Sequence, residues 1–125
     1  IFSIAVFHHL PGKEYRLEVA KELHRVLKPG GKIVISVWNL WQKRFWKYHL
    51  KASKNKITGK SKLDWGDLHI PFKTNEGKTF QRYHHAFKKG ELENVFKEAG
   101  FETEKIITEK NLVYLGTKLD VDNRV

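Results

Sequence analysis

The chain has 125 residues, with 24 lysine and arginine against 14 aspartate and glutamate, for a formal net charge of +10. That length allows one domain with a real core, and apolar and charged fractions of 40% and 30% exclude wholesale disorder. The absence of cysteine excludes disulfides and the common zinc frameworks and fits a reducing cytoplasm, and no apolar run nears the roughly 18 residues that cross a bilayer.

Ile1 to Phe7 is a short apolar run suited to a strand covered on both faces, ended by Pro11-Gly12. A helix is expected over Glu14 to Leu27, because Tyr15, Val19, Leu23 and Val26 or Leu27 recur on one face. Pro29 stops it, and Gly30-Gly31 let the chain turn sharply into a second strand, Ile33 to Trp38. Strand, helix, strand in this order predicts a parallel pair joined by a right-handed crossover. Trp41 to Leu50 is expected to form a basic amphipathic helix with Trp41, Phe45, Tyr48 and His49 aligned. Lys51 to Lys78 has weak periodicity and reads as an irregular insertion anchored by Trp65, Leu68, Ile70 and Phe72. Leu92, Val95, Phe96 and Ala99 mark a short helix closed by Gly100, and two strands over Phe101 to Thr108 and Asn111 to Lys118 form a hairpin around Glu109-Lys110. The organisation is therefore a strand-helix-strand core over 1–40, a basic aromatic insertion over 41–80, a segment with the closing helix and strands over 81–119, and a frayed tail over 120–125.

The charge is uneven. Lys43, Arg44, Lys47, Lys51, Lys54, Lys56, Lys60 and Lys62 lie in one stretch without an acidic residue, and Trp38, Trp41, Phe45, Trp46 and Tyr48 run into or interleave with them. Lysines that displace counterions beside rings that stack on bases suit a nucleic acid, with Lys43, Arg44, Lys47 and Lys51 the expected contacts. A solvated lysine-rich loop has the same composition.

Two motifs carry a resemblance. Glu22-Leu23-His24-Arg25-Val26-Leu27-Lys28-Pro29-Gly30-Gly31 resembles the "ELxRVLKPGG" pattern of class I S-adenosylmethionine-dependent methyltransferases. Arg82-Tyr83-His84-His85-Ala86-Phe87 followed by Gly90-Glu91-Leu92 resembles the "RYYHxFxxGEL" segment of the tRNA wobble-uridine carboxymethyl methyltransferases, with His84 in place of the usual tyrosine. Ala5 to His9 and Val37-Trp38 are similar to that family as well. The resemblance implies an α/β fold: the C-terminal part of a Rossmann-like methyltransferase sheet, with parallel strands and a closing antiparallel strand. The glycine-rich cofactor loop and the acidic residue for the cofactor ribose lie in a half that this sequence does not contain, and the opening on Ile1 is read as mid-strand.

The same resemblance implies that Ala5, Val6, Phe7 and His8 line the methionine part of S-adenosylmethionine, largely through backbone, and that His9, Trp38 and Asn39 face the acceptor. It implies tRNA as partner, a small activator subunit as an optional one, no membrane and a cytoplasmic location. The residues alone leave His8-His9 open between that role and a polar loop with one structural imidazole, and Trp38 open between site and core. No metal is expected, because adjacent histidines tend to diverge and no third ligand is spaced to help. A carboxylate acceptor is already nucleophilic at neutral pH, so the site needs a cation to select it more than a base. Arg82 is the candidate, since a guanidinium grips a carboxylate through two parallel hydrogen bonds. Tyr83 and His85 would add hydrogen bonds or a stacking face for uracil; alternatively Tyr83, His85 and Phe87 only pack as an edge segment. Two other readings of the chain remain: a methyltransferase of the same fold acting on a small molecule, and a non-catalytic basic remnant that binds RNA.

Overall fold

The computed structural model describes residues 1–59 and 65–120. Its elements in chain order are β1 (Phe2–Ile4), α1 (Lys13–Val26), β2 (Lys32–Trp38), α2 (Trp46–Ile57), β3 (Asp67–Lys73), β4 (Thr79–His85), α3 (Lys89–Ala99), β5 (Glu102–Thr108) and β6 (Asn111–Thr117), with single 3-10 turns at Phe7–His9 and Lys43–Phe45. Four strands make one sheet in the order β1-β2-β6-β5, and β3 and β4 form a separate hairpin. β1 and β2 are parallel, whereas β6 runs antiparallel between β2 and β5. This is the expected mixed sheet with its closing antiparallel strand.

Alternation along β2 sends Ile33, Ile35 and Val37 into the main core, where they meet Leu112 and Tyr114 of β6 and Leu92, Phe96 and Ala99 of α3. Gly100 closes α3 in the left-handed region at φ 111°, and a Cβ there would stand 3.0 Å from the His24 ring, so both conformation and space call for glycine.

Four expectations change. The first strand is three residues, because Ala5 turns the chain out of it at φ 56°; Phe2 and Ile4, expected to be covered, are exposed. The fully buried positions of α1 are Arg16 and Ala20; the expected Val19, Leu23 and Leu27 pack partly buried beside them with Leu17, while Tyr15 and Val26 face outward. The basic helix starts at Trp46 and reaches Ile57, since Lys43–Phe45 is a 3-10 turn that buries Phe45. Finally, the segment read as irregular holds the second half of α2 and all of β3, and β4 returns in register with it from Asp67↔His85 to Lys73↔Thr79. Only the root of this hairpin is buried, so no continuous apolar alternation marks it, and Pro71 disguises a strand that tolerates it because each strand of a two-stranded sheet is an edge. Leu68 joins Leu40, Phe45 and Ala86 in a second, smaller core that Tyr48 and Ala52 of α2 cover. Lys60 and Lys62, and the tail beyond Asp120, lie outside the described residues.

Candidate functional site

β1 and β2 end side by side, and in α/β sheets ligands gather at such carboxyl ends. The 3-10 turn after β1 is tied to the hairpin through His9 Nδ1, which bonds the Tyr83 carbonyl at 3.0 Å. Between them opens a groove of about 580 Å³ lined by His9, Phe72, Phe80, Arg82 and Tyr83. The exposed Arg82 guanidinium lies 3.8 Å over the Phe72 ring, and among the described residues no carboxylate forms a salt bridge with it. It is a cation on an aromatic floor, open to an anion.

Behind Arg82 runs a chain of charge, buried except at its Glu91 end. Arg16, 2% exposed, donates to the Leu10 carbonyl and to the Tyr83 hydroxyl at 3.0 and 3.2 Å. The Tyr83 hydroxyl donates to Asp67 Oδ1 at 2.6 Å, and His85 Nδ1 meets the same oxygen at 2.6 Å. His85 Nε2 contacts both oxygens of Glu91 at 2.9 Å. Burial works against a charge on His85, but hydrogen bonds to Asp67 and Glu91 outweigh it and raise its pKa, which favours an imidazolium. Burial likewise opposes ionised Glu91, and its bond to His85 prevails and lowers its pKa. Burial and Asp67 together raise Tyr83, so the phenol keeps its proton. Gly66, at φ 90°, delivers Asp67 to this place, with its own carbonyl accepting from Ala86 N–H at 2.7 Å.

The other face of β4 is different. His84 stacks on Trp38 at 5.4 Å and on His8 at 5.3 Å, and the His9 ring lies 4.4 Å from it. Burial, with the neighbouring histidines adding to it, pushes His8 down to about 3, and burial lowers His84 as well, so both are neutral imidazoles at pH 7. The expectation that adjacent histidines diverge and find no third partner is overturned: one ring nitrogen from each of His8, His9 and His84 lies within 4.8 Å of the others.

The fold thus brings His9, Arg82 and Tyr83 to one groove. Ala5 and Val6 are accessible at the end of β1, but the Phe7 side chain is 1% exposed, packed on Phe87 and Phe96, and His8 is fully buried. Neither of those two side chains has a face for a cofactor. Trp38 is partly exposed over the histidines. Asn39, expected to face an acceptor, staples β2 to the β5–β6 turn by donating to the Glu109 carbonyl at 2.9 Å and accepting from Trp41 N–H at 3.2 Å. His85, 1% exposed, has no surface for uracil and instead positions its neighbours. Lys43, Arg44, Lys47 and Lys51 are all exposed, and the Arg44 guanidinium stands 4.7 Å over Phe45. Sequence reasoning missed Arg16, Asp67 and Glu91. Of these, Glu91 stands in the Gly90-Glu91-Leu92 motif without being given a role, and Gly66 ahead of Asp67 is the one local hint of the aspartate.

Comparison with known proteins agrees with the fold. Residues 1–35 match the family described as "Methyltransferase domain". An S-adenosylmethionine-dependent methyltransferase from Methanosarcina mazei superposes with a TM-score of 0.71 at 23% identity, over 95% of this chain and 58% of that one. The chain thus has the fold of the S-adenosylmethionine-dependent methyltransferases and resembles their domain family over its first 35 residues. Its sequence relatives include tRNA (carboxymethyluridine(34)-5-O)-methyltransferases and probable tRNA methyltransferases. The tRNA (carboxymethyluridine(34)-5-O)-methyltransferase of Schizosaccharomyces pombe is 32% identical over 117 residues, which cover 78% of this chain and 46% of that protein. The probable tRNA methyltransferase 9B of Mus musculus is 40% identical over 73 residues, 53% of this chain and 16% of that protein. The chain therefore spans less than half the length of these relatives.

Proposed function

We propose that this chain forms the acceptor side of an enzyme that transfers a methyl group from S-adenosylmethionine to the carboxylate of a carboxymethyluridine at the tRNA wobble position. The observation that carries the reading is the groove in which Arg82, without a salt bridge among the described residues, stands beside His9 and Tyr83, in a chain one of whose relatives bears that activity in its name. Bound S-adenosylmethionine would supply an electrophilic methyl carbon whose former bonding pair stays on sulfur. The left-handed turn at Ala5 leaves Ala5 and Val6 at least partly exposed at the sheet's ligand end, where a cofactor would be held.

Arg82 binds and orients the carboxylate, which needs no base to become a nucleophile. Phe72 and Phe80 offer ring faces to an unstacked uracil, since single-stranded bases are commonly held by stacking. Tyr83 and His85 act from behind: the bonds through Asp67, Glu91 and Arg16 fix the strand that presents Arg82. Lys43, Arg44, Lys47 and Lys51 would hold phosphates of the anticodon arm. The reading includes a cytoplasmic location and a small activator subunit as an optional partner. Among the described residues no helix is long and apolar enough to cross a membrane.

The full-length protein mixed with labelled S-adenosylmethionine and tRNA bearing carboxymethyluridine should yield label in a base-labile ester. Label retained after alkali, or none on tRNA despite cofactor binding, would move the acceptor to another molecule.

A further inference from the structure

We propose that His8, His9 and His84 form a binding site for one borderline transition-metal dication, of which Zn²⁺ is the representative. Three imidazoles with a fourth position left open are a recurrent donor set for such ions. The site is built from both ends of the fold: the 3-10 turn after β1 supplies two ligands and the root of β4 the third. His8 and His84 are 0% and 2% exposed, and the Nε2 atom of each is buried with no hydrogen-bond partner. Buried polar atoms without partners are uncommon, and a missing ion is one of the few explanations available.

The orienting bonds are those of metal-ligating histidines. His9 Nδ1 contacts the Tyr83 carbonyl and His84 Nδ1 the Arg82 carbonyl, both at 3.0 Å. A ring whose Nδ1–H donates to a carbonyl has its lone pair on Nε2, and this second bond is what fixes tautomer and direction at metal sites. His8 is held least: Trp38 N–H reaches its Nδ1 at 3.4 Å, and ligation through Nε2 gives up that long contact. The ring nitrogens, within 4.8 Å of one another, must close to about 3.4 Å around a tetrahedral ion with bonds near 2.0–2.1 Å. The His8 and His84 planes, now 13° from parallel, turn about their Cβ–Cγ bonds in doing so. Trp38 covers the cluster from outside, whereas His9 also lines the groove with Arg82 and Tyr83, so the open position faces an incoming oxygen anion. His84 is decisive, because tyrosine, which the resembled motif carries there, offers no imidazole.

The test uses full-length protein stripped with EDTA, loaded with Zn²⁺ alone, desalted and assayed by atomic emission, with Co²⁺ titration as the spectroscopic reading. One ion per chain and tetrahedral Co²⁺ absorption are expected, with retention at least about tenfold weaker in His84→Tyr and in His9→Gln. His69→Gln, at an exposed histidine outside the cluster, should bind as the parent does. Melting curves of the stripped variants establish that each is folded, and His9→Gln decides if His84→Tyr is not. Sub-stoichiometric metal, or binding that survives removal of the decisive histidine or falls equally in His69→Gln, overturns the proposal.

Discussion

His84 and His85 are consecutive on β4, yet the two faces of that strand give them opposite electrostatics. His85 sits between Asp67 and Glu91 with both ring nitrogens bonded, in a chain that continues through Tyr83 to Arg16. His84 sits among His8, His9 and Trp38, where rings stack and Nε2 is bare. Burial is nearly the same, 1% and 2%, so partners and not depth decide the proton. One face locks the hairpin to α3 and α1 by charge; the other keeps neutral imidazoles available at the ligand end of the sheet.

The largest break in this comparison should come from Asp67→Ala. It removes the carboxylate that two 2.6 Å bonds share and leaves His85 buried against Glu91 alone, so urea unfolding should show a loss of roughly 3–5 kcal/mol. Arg82→Ala should leave the melting temperature unchanged and cut ester formation by about 10²–10³-fold, and Arg82→Lys should recover only part, since an ammonium cannot make the paired bonds. A variant that unfolds would instead make Arg82 structural through its packing on Phe72. Replacing Lys43, Arg44, Lys47 and Lys51 by glutamine should flatten the salt dependence of tRNA binding, by a log–log slope of roughly 0.7–0.9 for each phosphate that these side chains neutralise. An unchanged slope would return that face to solvent.

The proton itself is the sharpest discriminator. His8, with a folded value of about 3 against 6.5 unfolded, contributes stability that is complete above 6.5 and is lost as pH falls towards 3. His85 works the other way: its folded value is raised, so its contribution is complete below 6.5 and disappears as pH rises through the folded value. Glu91, lowered from 4.5, adds stability present above 4.5 and lost on acidification. In metal-free protein, ring NMR signals should therefore show His85 losing its proton above the ordinary 6.5, while His8 is still neutral at pH 5. Titration of the two in one window would erase the contrast.

Much of the scaffold was legible along the chain. Pro29-Gly30-Gly31 ends α1 and begins β2, alternation from Ile33 to Val37 marks a strand with a core face, and Leu92, Val95, Phe96 and Ala99 with Gly100 define α3 and its cap. These signals are local, since backbone restriction and apolar period act within a turn or two. The β3–β4 hairpin was not legible, because only its root is buried and its register depends on packing against α2 and the second core.

The site divides in the same way. Arg82 and Tyr83 stood out by residue type beside a recognisable motif. What distinguishes His84 from His85, what buries Arg16 beside the expected apolar face of α1, and what turns Asp67 into a hub between Tyr83 and His85 all depend on strands and helices that meet from distant parts of the chain. The sequence by itself determined the order and kind of the main elements and the chemistry on offer. Only the tertiary structure decided which side chains share a proton, which are left bare and which face the groove, because desolvation and partner distance are properties of the packed molecule.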